Sequence, residues 1–537
     1  MENAVNRKEA RMTFGFVIDN RNCIGCHACT VACKSEHEVP LGVNRTWVKY
    51  VEKGEYPQTK RLFSVMRCNH CSSAPCVEIC PTTALFRRED GIVDFNSNRC
   101  IGCKGCMQAC PYDALYIDPE SHTAAKCNYC SHRVDIGLEP ACVNVCPTHA
   151  IISGNLEDPH SEISQRLSHE KVQVRKPEKG TYPKLFYIHG DEVSLDPALS
   201  PKETQYLWSE QALGVGHFNQ SSAEKAKVDP AFSTHSFLEN LQKTAAGSHG
   251  KRVYDAPDKG VLWGWEVVAY ILTKALASGF ILIYFSLKIL DPQSLSLALQ
   301  NVIVWISLFF LGLTSFFLVI DLDKPSRFLY VILRPQWKSW LVRGAYILMG
   351  FGASLTAWSL CYWLGRLSFL PFFEISALVF AFLSAIYTAF LLGQAKGRDF
   401  WQNPLCVVHM LNHALLASAS LSLIVFSFLP AFASWCPFFF KLTLGSLALQ
   451  FCLLLAELFT VHATKDAQQT LELILKGPFK KQFWGGVFCV GHLLPFFLLL
   501  LGGTSSLFTL GAGLCIGIGL WFFQYIWIFA PQRIPLS

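Results

Sequence analysis

The chain has 537 residues, of which 16% are charged and 51% hydrophobic, and its mean hydropathy is +0.29. Soluble domains carry about 25% charge, so a disordered chain and a wholly soluble enzyme are both excluded. The net charge of +6 comes without a polybasic tract of the kind that binds nucleic acid.

The first 22 residues hold no apolar stretch followed by a small-residue cleavage site, and no twin-arginine pair. The head of the chain is therefore expected in a reducing compartment, where cysteines read as metal ligands or redox groups rather than disulfides. Of the 22 cysteines, sixteen fall between Cys23 and Cys146, and none falls between Cys146 and Cys361. The chain thus reads as a cysteine-rich head followed by an apolar tail.

The head cysteines form four groups. The first is Cys23, Cys26, Cys29 and Cys33, the second Cys68, Cys71, Cys76 and Cys80. The third is Cys100, Cys103, Cys106 and Cys110, the fourth Cys127, Cys130, Cys142 and Cys146. Groups one and three share the spacing C-x2-C-x2-C-x3-C, the bacterial run for [4Fe–4S] clusters. Three thiolates on one tight loop reach three irons of a single cube, and the fourth turns to the neighbouring cluster. Cys23-Ile24-Gly25-Cys26 repeats as Cys100-Ile101-Gly102-Cys103, which marks a duplication. Structural zinc also uses C-x2-C pairs, but on two knuckles far apart in sequence.

The head resembles the four-cluster electron-transfer subunit of molybdopterin oxidoreductases such as dimethyl sulfoxide reductase and polysulfide reductase. The likeness runs from about Phe14 to His189 and includes Gly154-Asn155-Leu156-Glu157-Asp158-Pro159 and Lys176-Pro177-Glu178-Lys179-Gly180-Thr181. It implies that the first group pairs with the fourth and the second with the third. Cys23, Cys26, Cys29 and Cys146 would hold one cluster, and Cys127, Cys130, Cys142 and Cys33 its neighbour. Cys68, Cys71, Cys76 and Cys110 would hold a third, and Cys100, Cys103, Cys106 and Cys80 a fourth. Some relatives replace a cysteine of the third group and carry a three-iron cluster; all sixteen are present here, so four [4Fe–4S] clusters are implied. Lys34 stands where the other groups have proline, which alters a helix start and no ligand.

Residues 190–260 hold no cysteine and little apolar periodicity, and read as a linker with one short helix around Phe237 to Thr244. Eight apolar stretches follow, at about 262–289, 296–320, 341–363, 369–393, 405–429, 437–461, 483–501 and 507–529. Most reach the ~20 residues that cross a ~30 Å hydrocarbon core. Trp263, Trp340, Trp401, Trp484 and Trp527 stand near their ends, as interfacial anchors do. The expected fold is multidomain. An α+β duplicated bacterial-ferredoxin-like iron–sulfur head over 1–189 precedes a linker over 190–260. An all-α, eight-helix transmembrane bundle over 261–537 completes it.

The tail is similar to the NrfD/polysulfide-reductase membrane subunit family. The residues that carry this are Asp321-Leu322-Asp323-Lys324-Pro325-Ser326-Arg327-Phe328, Ser339-Trp340-Leu341-Val342-Arg343-Gly344, and Tyr387 to Gly393 with Phe400-Trp401. The resemblance implies a subunit without haem that exchanges electrons with a quinone, menaquinone or ubiquinone. Quinone contacts would fall at Tyr387 and in the Tyr270–Lys274 region, although Tyr270 replaces a histidine of some relatives.

Ionisable residues inside spans are costly and usually functional. Relative to the end of the bundle where the first span begins, Glu266, Tyr270, Lys274, Asp321, Tyr387, His409, His413, Glu457 and His492 lie toward that end or the middle. Glu374 and Lys441 lie toward the other. Oxidation of a quinol releases two electrons and two protons, so Tyr387, Lys274, Tyr270, Glu457, Asp321 and His413 are the candidate quinone and proton residues. The six tail cysteines lack ligand spacing and read as small buried hydrophobes.

The leading reading is a relay. Electrons pass between a quinone or quinol in the tail and a catalytic partner through four clusters. The partner expected is a separate molybdopterin oxidoreductase subunit or a multihaem cytochrome. Two alternatives stand: a membrane-anchored ferredoxin arm without quinone chemistry, and a proton-translocating redox unit using Glu374, Lys441 and the acids at the head end of the bundle. Loop charges orient the chain in a bacterial inner membrane. Lys324, Arg327, Arg334, Lys338, Arg343, Lys396, Arg398, Lys465, Lys476, Lys480, Lys481 and Arg533 lie on the side of the head, against Lys288, Arg366 and Lys441 opposite. Lys and Arg favour the cytoplasm, so the head is expected there.

Overall fold

The computed structural model describes residues 12–200, 250–291, 295–428 and 435–537. The chain divides into two compact units. One is Met1–Leu262 with Ala395–Gly397 and Pro535–Ser537, and the other is Trp263–Gln394 with Arg398–Ile534.

The first unit is built on β1 (Phe14–Asp19), at the centre of a four-stranded sheet. It runs parallel to Leu185–Ile188, with Phe16 opposite Leu185, and antiparallel to Ile151–Asn155, with Phe16 opposite Ser153. Phe16, Val17 and Ile18 are all buried, as a strand covered on both faces requires. Phe16 and Ile18 pack with Cys29, Tyr129 and Cys142, while Val17 packs with Ile152, Ile163 and Ile188 on the other face.

A second sheet pairs β2 (Thr46–Lys53) with β3 (Lys60–Arg67), Thr46 opposite Arg67. The duplication read from the cysteines recurs in the backbone. Pro75–Ile79 is a short helix followed by the hairpin Leu85–Arg87/Val93–Phe95. Gly105–Ala109 is another, followed by Leu115–Ile117/Ala124–Lys126.

The expected linker is structured at both ends, which corrects the reading of 190–260 as a plain connection. Glu192–Leu195 is a helical turn capped by Asp191, whose Oδ1 accepts from Val193 N at 3.0 Å. Lys251–Tyr254 adds a strand antiparallel to β2, with Lys251 opposite Glu52. Arg252 and Asp255 fix it there. Asp255 accepts from Arg252 Nη1 at 2.8 Å and from Trp47 Nε1 at 2.7 Å, all three buried. The helix expected around Phe237–Thr244 lies outside the described residues.

Among the described residues of the second unit, eight helices are long and apolar enough to cross a membrane. They are Trp265–Leu290, Leu297–Ile320, Trp340–Trp363, Leu367–Gln394, Leu405–Val425, Cys436–Phe459, Gln482–Gly502 and Ser506–Gln532. They are called the first to eighth spans below. The first is 72% buried over its most apolar window and the second 22%, so the first sits at the centre of the bundle. Small residues let the helices close on one another. A Cβ on Gly279 would collide with Ala414 O of the fifth span, and one on Gly491 would stand 2.7 Å from Gly519 Cα of the eighth.

The seventh span departs from a regular helix. Gln482–Leu493 is a π-helix, and an α-helix resumes at Leu494 with Pro495 in its first turn. Proline has no N–H to give to the preceding turn, and π-bulges of this kind often mark functional positions.

Candidate redox sites

In the head, the loops that carry the first and third cysteine groups alternate left-handed residues: Gly25 and His27, then Gly102 and Lys104. At Gly25, φ is +71° and an added Cβ would stand 2.5 Å from the Phe63 ring, so the position needs glycine. Each loop then enters a short helix, Ala28–Glu36 or Gly105–Ala109, that carries the later cysteines.

The thiols gather across groups. Cys23 lies within electrostatic reach of Cys146 and Cys26, and Cys29 of Cys142 and Cys23. Cys33 is in reach of Cys127, Cys142 and Cys130. Cys76 is in reach of Cys110, Cys68 and Cys71, and Cys106 of Cys103, Cys100 and Cys80. Backbone amides point at several of the sulfurs. Leu85 N is 3.5 Å from Cys80 Sγ, Gly102 N and Ala124 N are each 3.4 Å from Cys100 Sγ, and Ala150 N is 3.3 Å from Cys146 Sγ.

Burial pushes the thiols of Cys29 and Cys127 up to about 12, and those of Cys130 and Cys110 up to about 11. Thiols in such surroundings become thiolates only when a metal takes their electron pairs. Cys80, Cys100, Cys103 and Cys106 line a hollow of about 390 Å³, part of it open to solvent, closed by Pro81, Leu85, Phe95 and Ile101. Among the described residues no three metal-ligating side chains gather closely enough for a single ion, the arrangement that zinc would require. The donor set, the hollow and the amide–sulfur contacts together fit iron–sulfur clusters held by cysteine thiolates.

In the membrane unit the structure brings Lys274, Tyr270 and Tyr387 together. Lys274 is 1% exposed; its Nζ donates to Thr388 Oγ1 at 2.5 Å and to Ala385 O at 3.3 Å, and stands 4.5 Å from the centre of the Tyr387 ring. Thr388 is also within hydrogen-bonding reach of Tyr270 and Tyr387, and half-buried Asp321 is within electrostatic reach of Tyr270. Tyr387 packs against the third span, where a Cβ on Gly344 would collide with its ring.

Glu457 and His413 belong to a second group, in the fifth to eighth spans. Asn412 Nδ2 donates to Ser446 O at 3.0 Å and to Gln450 Oε1 at 3.1 Å. That orients Gln450, whose Nε2 then donates to His409 Nδ1 at 3.0 Å. His409 therefore carries its proton on Nε2, which lies 3.2 Å from Glu457 Oε2 without the alignment of a hydrogen bond. Glu457 Oε1 accepts from Asn403 Nδ2 at 2.9 Å. His413 Nδ1 lies 2.8 Å from Gln524 Nε2, and its buried Nε2 has no partner among the described residues.

His492, turned inward by the π-helix, donates from Nδ1 to Val487 O at 2.7 Å, leaving a buried Nε2 lone pair. Buried Cys406 lies between the two groups, in electrostatic reach of Glu457 and of Lys274. Toward the other end of the bundle, Glu374 is already engaged by Lys288 and by Tyr284 Oη at 3.1 Å, and Lys441 is exposed. The tail cysteines do not all match the expectation of burial. Cys406 is buried, but Cys452 and Cys489 are on the outer surface of the bundle.

Family models agree with this division. A 4Fe-4S binding domain matches residues 21–39 and a 4Fe-4S dicluster domain matches residues 59–156. The model for polysulphide reductase, NrfD, matches residues 256–534, more than half of the chain. The chain belongs to the NrfD family. Its head is 43% identical over 204 residues to a tetrathionate reductase subunit of Salmonella typhimurium, covering 37% of this chain and 81% of that protein. It is 46% identical over 178 residues to protein NrfC of Escherichia coli, covering 33% and 80%. A polysulfide reductase chain of Wolinella succinogenes is 43% identical over 180 residues, covering 33% and 93%. An iron–sulfur electron-transfer protein and an NrfD-type multi-pass membrane protein are thus joined in one chain.

Within the NrfD unit, the sequence reading missed the uncharged members of the site: Thr388, Asn403, Asn412, Gln450 and Gln524. Four carboxamides in or beside apolar spans were the available signal.

Proposed function

We propose that the chain relays electrons between a quinol or quinone, bound beside Lys274, Tyr270 and Tyr387, and a catalytic redox partner, through four [4Fe–4S] clusters. The clusters, when bound, supply one-electron carriers along the head. Cys23, Cys26, Cys29 and Cys146 hold one, and Cys33, Cys127, Cys130 and Cys142 the next. Cys68, Cys71, Cys76 and Cys110 hold the third, and Cys80, Cys100, Cys103 and Cys106 the fourth. The cross-group gathering of thiols is the observation that carries this assignment, because it joins cysteines far apart in sequence in the pairing expected for four cubes.

The Lys274 ammonium and the Tyr387 hydroxyl supply donors for quinone oxygens. Glu457, beside His409, supplies an acceptor for a proton released on quinol oxidation. A plain membrane anchor would have no use for a buried lysine held by Thr388 and stacked on Tyr387. The proton-translocating reading keeps one supporting observation, the row of buried imidazoles His409, His413 and His492 with inward Nε2 atoms.

The partner fits the class to which the similar subunits' names point, reductases of tetrathionate or polysulfide, as a separate molybdopterin-type catalytic subunit; a multihaem cytochrome is the other candidate. The excess of Lys and Arg in the loops at the head end supports a head on the cytoplasmic side of a bacterial inner membrane. Two loop charges drop out of that count: Arg398 is buried and donates to Pro531 O and Ile534 O, and Lys288 is paired with Glu374.

Iron analysis with EPR of the oxidised and reduced protein tests the cluster assignment. About sixteen irons per chain and no three-iron signal are expected from four cubes. About eight irons, or a strong three-iron signal in fresh oxidised protein, would overturn it.

A further inference from the structure

Arg67 ends β3, one residue before Cys68, and is fully buried. Its Nη1 lies 3.0 Å from Cys142 Sγ, and its guanidinium carbon lies 4.6 Å from the centre of the Phe16 ring. Nε and Nη2 have no hydrogen-bond partner among the described residues. A guanidinium is always cationic in proteins, and this one lies within electrostatic reach of Cys142, Cys127 and Cys29. A buried guanidinium with two unpaired N–H groups is costly unless a delocalised anion lies against it.

Two imidazoles face the same thiols. His70 Nδ1 accepts from Val93 N at 3.2 Å, so its proton is on Nε2, 3.7 Å from Cys127 Sγ. His37 Nε2 lies 3.1 Å from Cys130 Sγ. Cys127, Cys130 and Cys142 therefore each meet a side-chain nitrogen, and one of the three nitrogens carries a permanent charge.

We infer that Arg67 tunes the cluster held by Cys33, Cys127, Cys130 and Cys142, raising its reduction potential through a charge-assisted hydrogen bond to Cys142. The inference rests on the four-cluster reading above. Reduction adds one electron and no proton, so the cluster and its thiolates become more negative by one charge. A fixed cation against one sulfur stabilises that reduced state more than the oxidised one. Cys29, of the neighbouring cluster, is also in reach of Arg67, so the charge sits where an electron would step between the two.

The test is an EPR-monitored redox titration of the full chain in detergent, on wild type, Arg67→Gln and Arg67→Lys, each with iron content measured first. With iron at the wild-type level, Arg67→Gln should lower one midpoint by a tenfold or greater change in equilibrium constant, about 59 mV for one electron. Arg67→Lys, which keeps the charge, should lower it less. Unchanged midpoints in fully loaded Arg67→Gln overturn the inference. Low iron in wild type would instead overturn the cluster reading. Where Arg67→Gln does not load, wild type grown with 15N-arginine decides by pulsed EPR. A nitrogen coupling from arginine to one reduced cluster supports the contact, and its absence refutes it.

Discussion

Replacing Lys274 by methionine separates a functional from a structural role for the buried ammonium. Removing an ammonium from water costs several kcal/mol even after relaxation. Against this, Lys274 gains a hydrogen bond to Thr388 Oγ1 at 2.5 Å, a longer one to Ala385 O at 3.3 Å, and the Tyr387 ring face at 4.5 Å. Bonds of a charged donor contribute about 1.5–3 kcal/mol each and a desolvated cation–π contact about 2 kcal/mol. Gain and cost nearly cancel. An apolar side chain of similar volume is then close to neutral for stability. If the ammonium also donates to a quinone oxygen, losing that bond lowers kcat/KM for quinol by roughly 10- to 150-fold, from the same 1.5–3 kcal/mol. The assay is quinol oxidation by the purified full chain with an artificial acceptor, beside thermal unfolding in detergent and iron content. Wild-type quinol kinetics in Lys274→Met would refute the reasoning, as would a large fall in unfolding temperature.

Gly344→Ala should force the Tyr387 ring aside at about 1–3 kcal/mol, with slower quinol oxidation; an unchanged unfolding temperature with wild-type rates would show that the ring does not press on this position. Tyr387→Phe should keep stability and iron while slowing quinol oxidation, and equal rates in mutant and wild type would place the site elsewhere. Asp255→Ala leaves buried Arg252 without its carboxylate and Trp47 Nε1 without its acceptor, so stability should fall by about 3–5 kcal/mol; a change under about 1 kcal/mol in thermal unfolding would show that the strand Lys251–Tyr254 is held otherwise. Alkaline phosphatase and a fluorescent protein, fused separately after Ser537, report the side of the C-terminus. A bright fluorophore with low phosphatase activity is expected, and the reverse would place the head outside the cytoplasm.

The iron–sulfur head was legible because metal coordination dictates spacing along the chain. Cys23, Cys26 and Cys29 must share one loop, and the same constraint repeats at Cys100 to Cys106. The eight spans were legible because hydrocarbon thickness dictates length. What escaped is what only a third dimension supplies. Lys251–Tyr254 becomes a strand because β2, far earlier in the chain, offers an edge. Arg67 reads as an ordinary strand end until pairing of Thr46 with Arg67 fixes it inside the head, next to Cys142. Lys274 and Tyr387 could be named from the family pattern, but Thr388, which links them, has no charge to draw attention.

The same distinction explains how the second polar group works. Its ionisable members were visible from sequence, but their roles are set by amides. Gln450 cannot turn over without losing the bond from Asn412, so its N–H stays on His409 Nδ1. A proton on that nitrogen would face another N–H. His409 thereby keeps its Nε2–H on the side of Glu457, 3.2 Å from Oε2 though not aligned as a hydrogen bond. His413 Nδ1 meets the Gln524 amide at 2.8 Å, whereas His492 is fixed by Val487 O in the opposite sense to His409, with an inward lone pair. Donor and acceptor imidazoles, His409 and His492, thus share one buried region, and the carbonyl that sets His492, Val487 O, lies in the same π-helical stretch of the seventh span.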